Sequence, residues 1–127
     1  MKKDLGNIED IKLLIDSFYK KVIVDPTISH FFTEVVKISW EKHIPIMYSF
    51  WDTVLFGTMT YKGNPMIKHI ELDKKEHLNK EHFAQWIKLW EETIDDHFSG
   101  AIAEKAKQKA ESIEILMLNK IEQSRSV

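Results

Sequence analysis

The chain has 127 residues, 43% hydrophobic and 30% charged, with a net charge of −2, which suits one globular domain over residues 1–127. Lysines and carboxylates are interleaved without a basic block, so there is no electrostatic case for a nucleic-acid partner. The absence of cysteine excludes disulfides, thiolate metal sites and a thiol nucleophile. The opening Met1-Lys2-Lys3-Asp4 leads to Glu9 and Asp10 with no apolar core, unlike a signal peptide, and no apolar run approaches the roughly 18 residues that span a bilayer. A cytoplasmic, membrane-free protein is the expectation. Four Trp, seven Phe and three Tyr are many for this length; they fill a core or line an aromatic cofactor.

With four glycines and three prolines, and few windows of period two, the pattern is helical nearly throughout. Asn7 caps a first helix with Glu9 and Asp10 in its first turn, where acids suit the macrodipole. Its stripe is Ile8, Ile11, Ile15, Phe18 and Val22, with Leu14 and Tyr19 alongside. Asp25-Pro26 ends it, and Thr27 caps a short turn carrying Ile28, Phe31 and Phe32. Ser39 precedes a second helix over 40–56 with Trp40, His43, Ile44, Met47, Trp51, Val54 and Leu55 on its stripe. Pro45 is tolerated there if it falls in the first turn and kinks the helix otherwise. Gly57 stops it.

The stretch from Tyr61 to Leu72 comes next, centred on His69. Gly63-Asn64-Pro65 turns the chain and opens a short helix, asparagine as cap and proline at the first helical position, where its missing N–H costs nothing. One turn on, His69 sits among Met66, Ile67, Ile70 and Leu72. The charged run over 73–77 reads as a solvated connector. Asn79 caps a fourth helix with Phe83, Trp86, Ile87, Trp90, Ile94 and Phe98 on its stripe. After Gly100 the last helix turns Ile102, Ala106, Ala110, Ile113, Met117 and Ile121 inward, and residues 123–127 fray. The fold class is all-α, with no internal repeat.

Six histidines invite a test for metal spacing. His-Glu-x-x-His and Glu-x-x-His are both absent, which removes the zincin and ferritin-like signatures; His69 and Asp73, four apart, make no metal site alone. No Gly-rich phosphate loop or Gly-x-Ser-x-Gly occurs. What remains is His69 on its short helix, with three polar groups on apolar faces, Tyr19, His43 and Trp86. One axial histidine, an apolar slot and hydrogen-bond donors on the far side are what a haem needs to hold oxygen. His30, His77, His82 and His97 read as surface or cap residues.

The ordered stretches Phe18-Tyr19-x-x-Val22, His43-x-Pro45-x-Met47-x-x-Phe50-Trp51, Tyr61-x-Gly63-x-Pro65 with His69-x-x-Leu72, and Phe83-x-x-Trp86-x-x-x-Trp90 resemble those of the group III truncated haemoglobins, short bacterial globins. The Gly-Gly motifs of other truncated globins are missing, in keeping with that group. The resemblance implies a two-over-two helical sandwich around haem, with His69 as the proximal ligand of the haem iron. It implies a distal set of Tyr19, His43 and Trp86, and Phe32 packed on the porphyrin. By helical spacing Met47, Phe50 and Trp51 follow His43 around the pocket. Without cysteine the thioether attachment of c-type haem is excluded, and the expected cofactor is haem b. Lys62 and Lys68 are candidate propionate partners by proximity.

Small diatomic ligands (oxygen, nitric oxide, carbon monoxide) and peroxide are the partners so implied. A pocket with three donors favours retention over delivery. The expectation is therefore oxygen, nitric oxide or peroxide chemistry, dioxygenase-like or peroxidase-like, with an external electron donor and reductase. Two rivals stand beside it. A haem-free helical binding or structural domain does not require the Gly-x-Pro introduction to His69, and a haem-based sensor or carrier lacks any signalling domain in this chain.

Overall fold

The computed structural model describes residues 2–125. Asn7 opens α1 (Ile8–Val22) in extended conformation, its side-chain oxygen accepting the Asp10 N–H at 3.1 Å. Ile11, Leu14, Ile15, Phe18, Tyr19 and Val22 are buried, so the expected stripe faces the core. The helix ends at Val22, ahead of Asp25-Pro26, because Val24 and Asp25 donate back to Lys21 and Val22 in tighter turns. Asp25, not Thr27, organises the turn after the helix. Its buried carboxylate accepts the N–H groups of Thr27 and Ile28 at 3.0 and 3.1 Å and the Gln85 amide at 2.7 Å. The charged acceptor outcompetes a threonine hydroxyl for the same orphan donors. A π-helical turn over Phe31–Val35 comes next, a geometry found often at functional sites.

Helix α2 spans Trp40–Phe56, the extent the periodicity predicts. Ser39 holds the cap position, but its hydroxyl makes no cap bond; the N–H groups of Lys42 and His43 go to its carbonyl instead. Pro45 lies in the second turn, beyond the position where it costs nothing. The helix nevertheless continues through it. The carbonyl left without a donor belongs to Glu41, and both residues are exposed, so water can satisfy it. Gly57 closes the helix at φ 66°, the left-handed region glycine enters freely.

Asn64 and Pro65 open α3 (Pro65–Lys75) as expected, the asparagine side chain accepting the Ile67 N–H at 3.2 Å. The solvated connector expected over 73–77 is a correction. Residues 73–75 are helical, and Asp73 is 2% exposed. Its carboxylate accepts the Leu78 N–H at 2.8 Å and a two-pronged contact from Arg125, through Nε at 3.0 Å and through Nη2. Arg125 is therefore ordered in the last turn of α5 (Ala101–Arg125), where fraying was expected; residues 126 and 127 lie outside the described residues.

Helix α4 (Lys80–His97) starts at Asn79, whose N–H donates to Nδ1 of His82 at 2.9 Å, a capping box closed by histidine. Ahead of α5, Gly100 sits at φ 138°, with the Asp4 carboxyl so near that a Cβ would meet it at 2.6 Å. Asp4 accepts the N–H groups of Ile102 and Ala103 at 2.9 and 2.8 Å, so the N-terminal segment caps the last helix.

The pair α1 and α2 crosses the pair α4 and α5. Helix α1 packs on both α2 and α4, and α3 hangs on α5. This is the two-over-two sandwich, with no strand among the described residues. Small residues at the α4–α5 contact, Ala106 and Ala110, let the helices approach until Trp90 Nε1–H donates to the Ala106 carbonyl at 3.2 Å. Trp51 stacks on Trp90 at 4.4 Å and ties in α2. A second apolar cluster, of Phe31, Leu78, Phe83, Met117 and Ile121, gathers under α3. No helix among the described residues is long and apolar enough to cross a membrane.

Asp4→Ala should lower unfolding stability by about 1 kcal/mol at neutral pH, the usual worth of a charged cap. Burial pushes the Asp4 carboxyl up, but the N–H groups of Ile102, Ala103 and Leu5 more than offset this and hold it below its ordinary 3.8. The stabilisation is present above that value and lost as pH falls through the lower, folded one. Urea titrations at pH 7 and pH 3 should show the gap between wild type and variant narrowing in acid; a gap that widened there would contradict the assignment.

Candidate functional site

The two apolar clusters do not merge. Between them lies a cavity of about 970 Å³, counted with its open mouth, walled by residues from α1, α2, α3, α4, α5 and the π-helical turn. His69, Phe32, Met47, Phe50, Trp51, Tyr19, His43 and Trp86 all line it, so the structure brings the eight sequence candidates to one place. Lys62 and Lys68 are exposed, and neither is among its walls.

His69 is presented by the local chemistry of α3. Its Nδ1 lies 2.7 Å from the carbonyl oxygen of Pro65, one turn earlier. A carbonyl only accepts, so Nδ1 carries the proton and Nε2 keeps a free lone pair. Burial pushes the imidazole below its usual pKa of 6.5, against the opposing effect of the Pro65 carbonyl. The ring is thus neutral at pH 7, the form that ligates a metal. Because Pro65 is the first residue of the helix, the same turn that starts α3 also locks the ring's tautomer.

Tyr19 projects from α1 into a cage of aromatic edges, with Phe18 at 5.1 Å, Trp40 at 5.6 Å and Phe32 at 5.9 Å between ring centres. Its hydroxyl lies 3.0 Å from Nε2 of His43. Burial raises the phenol far above its ordinary value of 10, so it stays protonated. Burial, and then repulsion from His69, brings His43 down to about 4, so this imidazole is neutral as well. The pair therefore has two arrangements. Either the phenol donates to a bare Nε2, or an Nε2–H donates to the phenol oxygen and frees the O–H.

Trp86 stands parallel to Trp90 at 6.3 Å and meets Phe18 edge-on at 6.1 Å. Among the described residues its indole N–H has no hydrogen-bond acceptor, whereas that of Trp90 is taken by Ala106. Trp51, Trp90 and Trp86 form one column of rings that stiffens this wall.

Sequence reasoning missed part of the wall. His82, expected as a surface or cap residue, is a cap that also lines the cavity beside Phe31, whose ring it meets at 4.8 Å. Leu72 and Phe83, members of the sequence motifs, line it too, as do Leu78, Ile113 and Met117; helical spacing marks these as apolar without telling cavity from core. The donor set suits a planar apolar group that brings its own metal. On the α3 side the cavity offers the bare Nε2 of His69, and no cluster of three His, Cys, Asp or Glu that could hold a bare ion occurs among the described residues.

Residues 3–121 match the family of bacterial-like globins. The chain is 30% identical over 116 residues to the group 3 truncated haemoglobin of Campylobacter jejuni, covering 89% of each chain. It is 35% identical over 80 residues to a group 1 truncated haemoglobin of Synechocystis, 62% of each. The crystal structure of the group III truncated haemoglobin from Campylobacter jejuni superposes with a TM-score of 0.85 at 29% identity, covering 95% of each chain.

The ring assignment can be checked directly. In the protein prepared free of cofactor, long-range ¹H–¹⁵N spectra at pH 7 should show His69 protonated at Nδ1 and bare at Nε2. An imidazolium, or a proton on Nε2, would remove the basis for His69 as a ligand.

Proposed function

The chain belongs to the bacterial-like globins and, among them, to the group III truncated haemoglobins, a haem-binding family, and on that premise we propose that it holds haem b through His69 Nε2 and handles small diatomic ligands at a polar distal wall. The observation that carries this reading is the Tyr19–His43 hydrogen bond, on the same cavity as the free Nε2 of His69. The haem, when bound, supplies an iron that takes a diatomic ligand or peroxide and exchanges electrons.

Every other part of the chemistry falls to the chain. Phe32, Met47, Phe50 and Trp51 would flank the ring system and exclude water, raising the worth of each polar contact inside. Tyr19 and Trp86 would donate to a ligand atom that gathers negative charge, preorganised donors being effective in a dry site. His43 decides whether the Tyr19 proton is available. As a bare acceptor it keeps the phenolic O–H for itself, and as an Nε2–H donor it turns that O–H toward the ligand. Neutral groups suit this role, since a buried imidazolium would carry a large desolvation cost.

A wall with this many donors favours retention, which argues for oxygen, nitric oxide or peroxide chemistry over transport. Either chemistry, repeated, would draw on an external electron donor, one electron for each nitric oxide dioxygenated and two for each peroxide reduced. Cytoplasmic residence fits such a partner.

Absorption spectra of ferric, dithionite-reduced and carbon-monoxide-bound protein should show a Soret band shifting as a histidine-ligated globin's does, and His69→Ala should lose or alter it. A protein that takes up no haem would defeat the proposal. In the haem-loaded protein, Tyr19→Phe should speed oxygen dissociation roughly tenfold or more, since a hydrogen bond to a charged group contributes about 1.5–3 kcal/mol and about 1.4 kcal/mol is tenfold. Unchanged stopped-flow dissociation rates would exclude the phenol as a donor.

A further inference from the structure

Helix α3 carries the one imidazole proposed to bind the haem, yet its packing is narrow. Its principal helix partner is α5, and three of its apolar residues, Met66, Ile70 and Leu72, are partly buried against the cluster beneath. Apolar packing of that kind holds a helix in place but tolerates rotation and sliding, because it is not directional. Directional restraint comes from the C-terminal end of α3, where the exposed cap residue Glu76 pairs with His30 and the buried Asp73 makes the larger set of contacts. Asp73, one turn after His69 and on the same face, accepts Arg125 Nε at 3.0 Å together with Arg125 Nη2. The same Nη2 reaches the Leu78 carbonyl at 3.0 Å, and the Leu78 N–H returns to Asp73 at 2.8 Å. Leu78 is itself a wall of the cavity.

We propose that the Asp73–Arg125 pair is a positioning element for His69, setting the rotation and height of α3 against the end of α5. The imidazole is tied within its own helix to Pro65, so it moves with α3 as one body, and whatever fixes α3 fixes the presentation of Nε2. A planar two-pronged contact suits this task because it constrains angle as well as distance. Buried ion pairs add little net stability compared with apolar replacements, and their best-attested use is to select one arrangement. Arg125 comes from 52 residues along the chain, so the restraint joins the proximal helix to the far end of the helix it packs on. This inference rests on the haem reading above and deepens it.

The test uses haem-loaded protein, with Arg125→Gln, Asp73→Asn and the double variant compared with wild type. Asp4→Ala, which removes the cap at the opposite end of α5, serves as a control for stability alone. The readouts are the iron–histidine stretching band in resonance Raman spectra of the dithionite-reduced protein and the rate of haem transfer to an excess of apomyoglobin. Both single variants should shift or broaden the band and release haem about tenfold faster or more, the scale on which outer partners of metal ligands act. The double variant should go no further than the worse single. Asp4→Ala should unfold more easily without moving the band. An unchanged band in folded Arg125→Gln would overturn the proposal, and so would an equal shift in Asp4→Ala. Arg125→Gln truncates a partly exposed side chain in the last described turn, so it remains informative if Asp73→Asn does not fold. A wild-type protein without the iron–histidine band would overturn the haem reading itself, before any variant is compared.

Discussion

An apolar cavity in a small helical protein has to be held open against the tendency of its walls to close, because interiors pack to the density of organic crystals and lost contacts weaken the fold. Here carboxylates tie segments distant in the chain to one another around the cavity. Asp4 ties the N-terminal segment to the start of α5, Asp25 joins the end of α1 to Gln85 on α4, and Asp73 joins α3 to Arg125. Each accepts backbone N–H groups as well, so the buried charges of Asp25 and Asp73 and the half-buried one of Asp4 keep their partners rather than being stranded. Polar joints at the periphery leave the interior free to be apolar and incompletely filled.

The rigidity that results is uneven in a useful way. On one side stands the column of Trp51, Trp90 and Trp86, backed by α1 and the alanines of α5. On the other, α3 is a short helix with a firm start at Asn64-Pro65 and a firm end at Asp73. The two sides differ in what they offer chemically. The α3 side presents a bare ring nitrogen, and the α1–α2 side presents a phenol whose proton is shared with a neutral imidazole. A planar group bound between them would be held by one side and its ligands sensed by the other.

Much of this architecture was legible in the sequence because it is local. Helical periodicity found all five helices, Gly57 marked a left-handed stop, and Asn64-Pro65 marked the start of α3. The cavity walls came from motifs whose members lie within a turn or two of each other. The features that escaped depend on partners far along the chain. In sequence Asp73 sits in a charged run and reads as solvated; the arrival of Arg125 from the end of α5, together with the Leu78 N–H, offsets the cost of burying it. Asp4 and Asp25 were hidden in the same way, their bonds to Ile102 and Gln85 spanning 98 and 60 residues. His82 was hidden by doing two things, since a cap on one face can be a wall on the other.

The neutral state of both cavity histidines has the same architectural origin. His69 is lowered by burial, and His43 is brought to about 4 by burial and then by repulsion from His69. One ion pair at the edge, Asp73 with Arg125, bears on the position of the histidine at the centre.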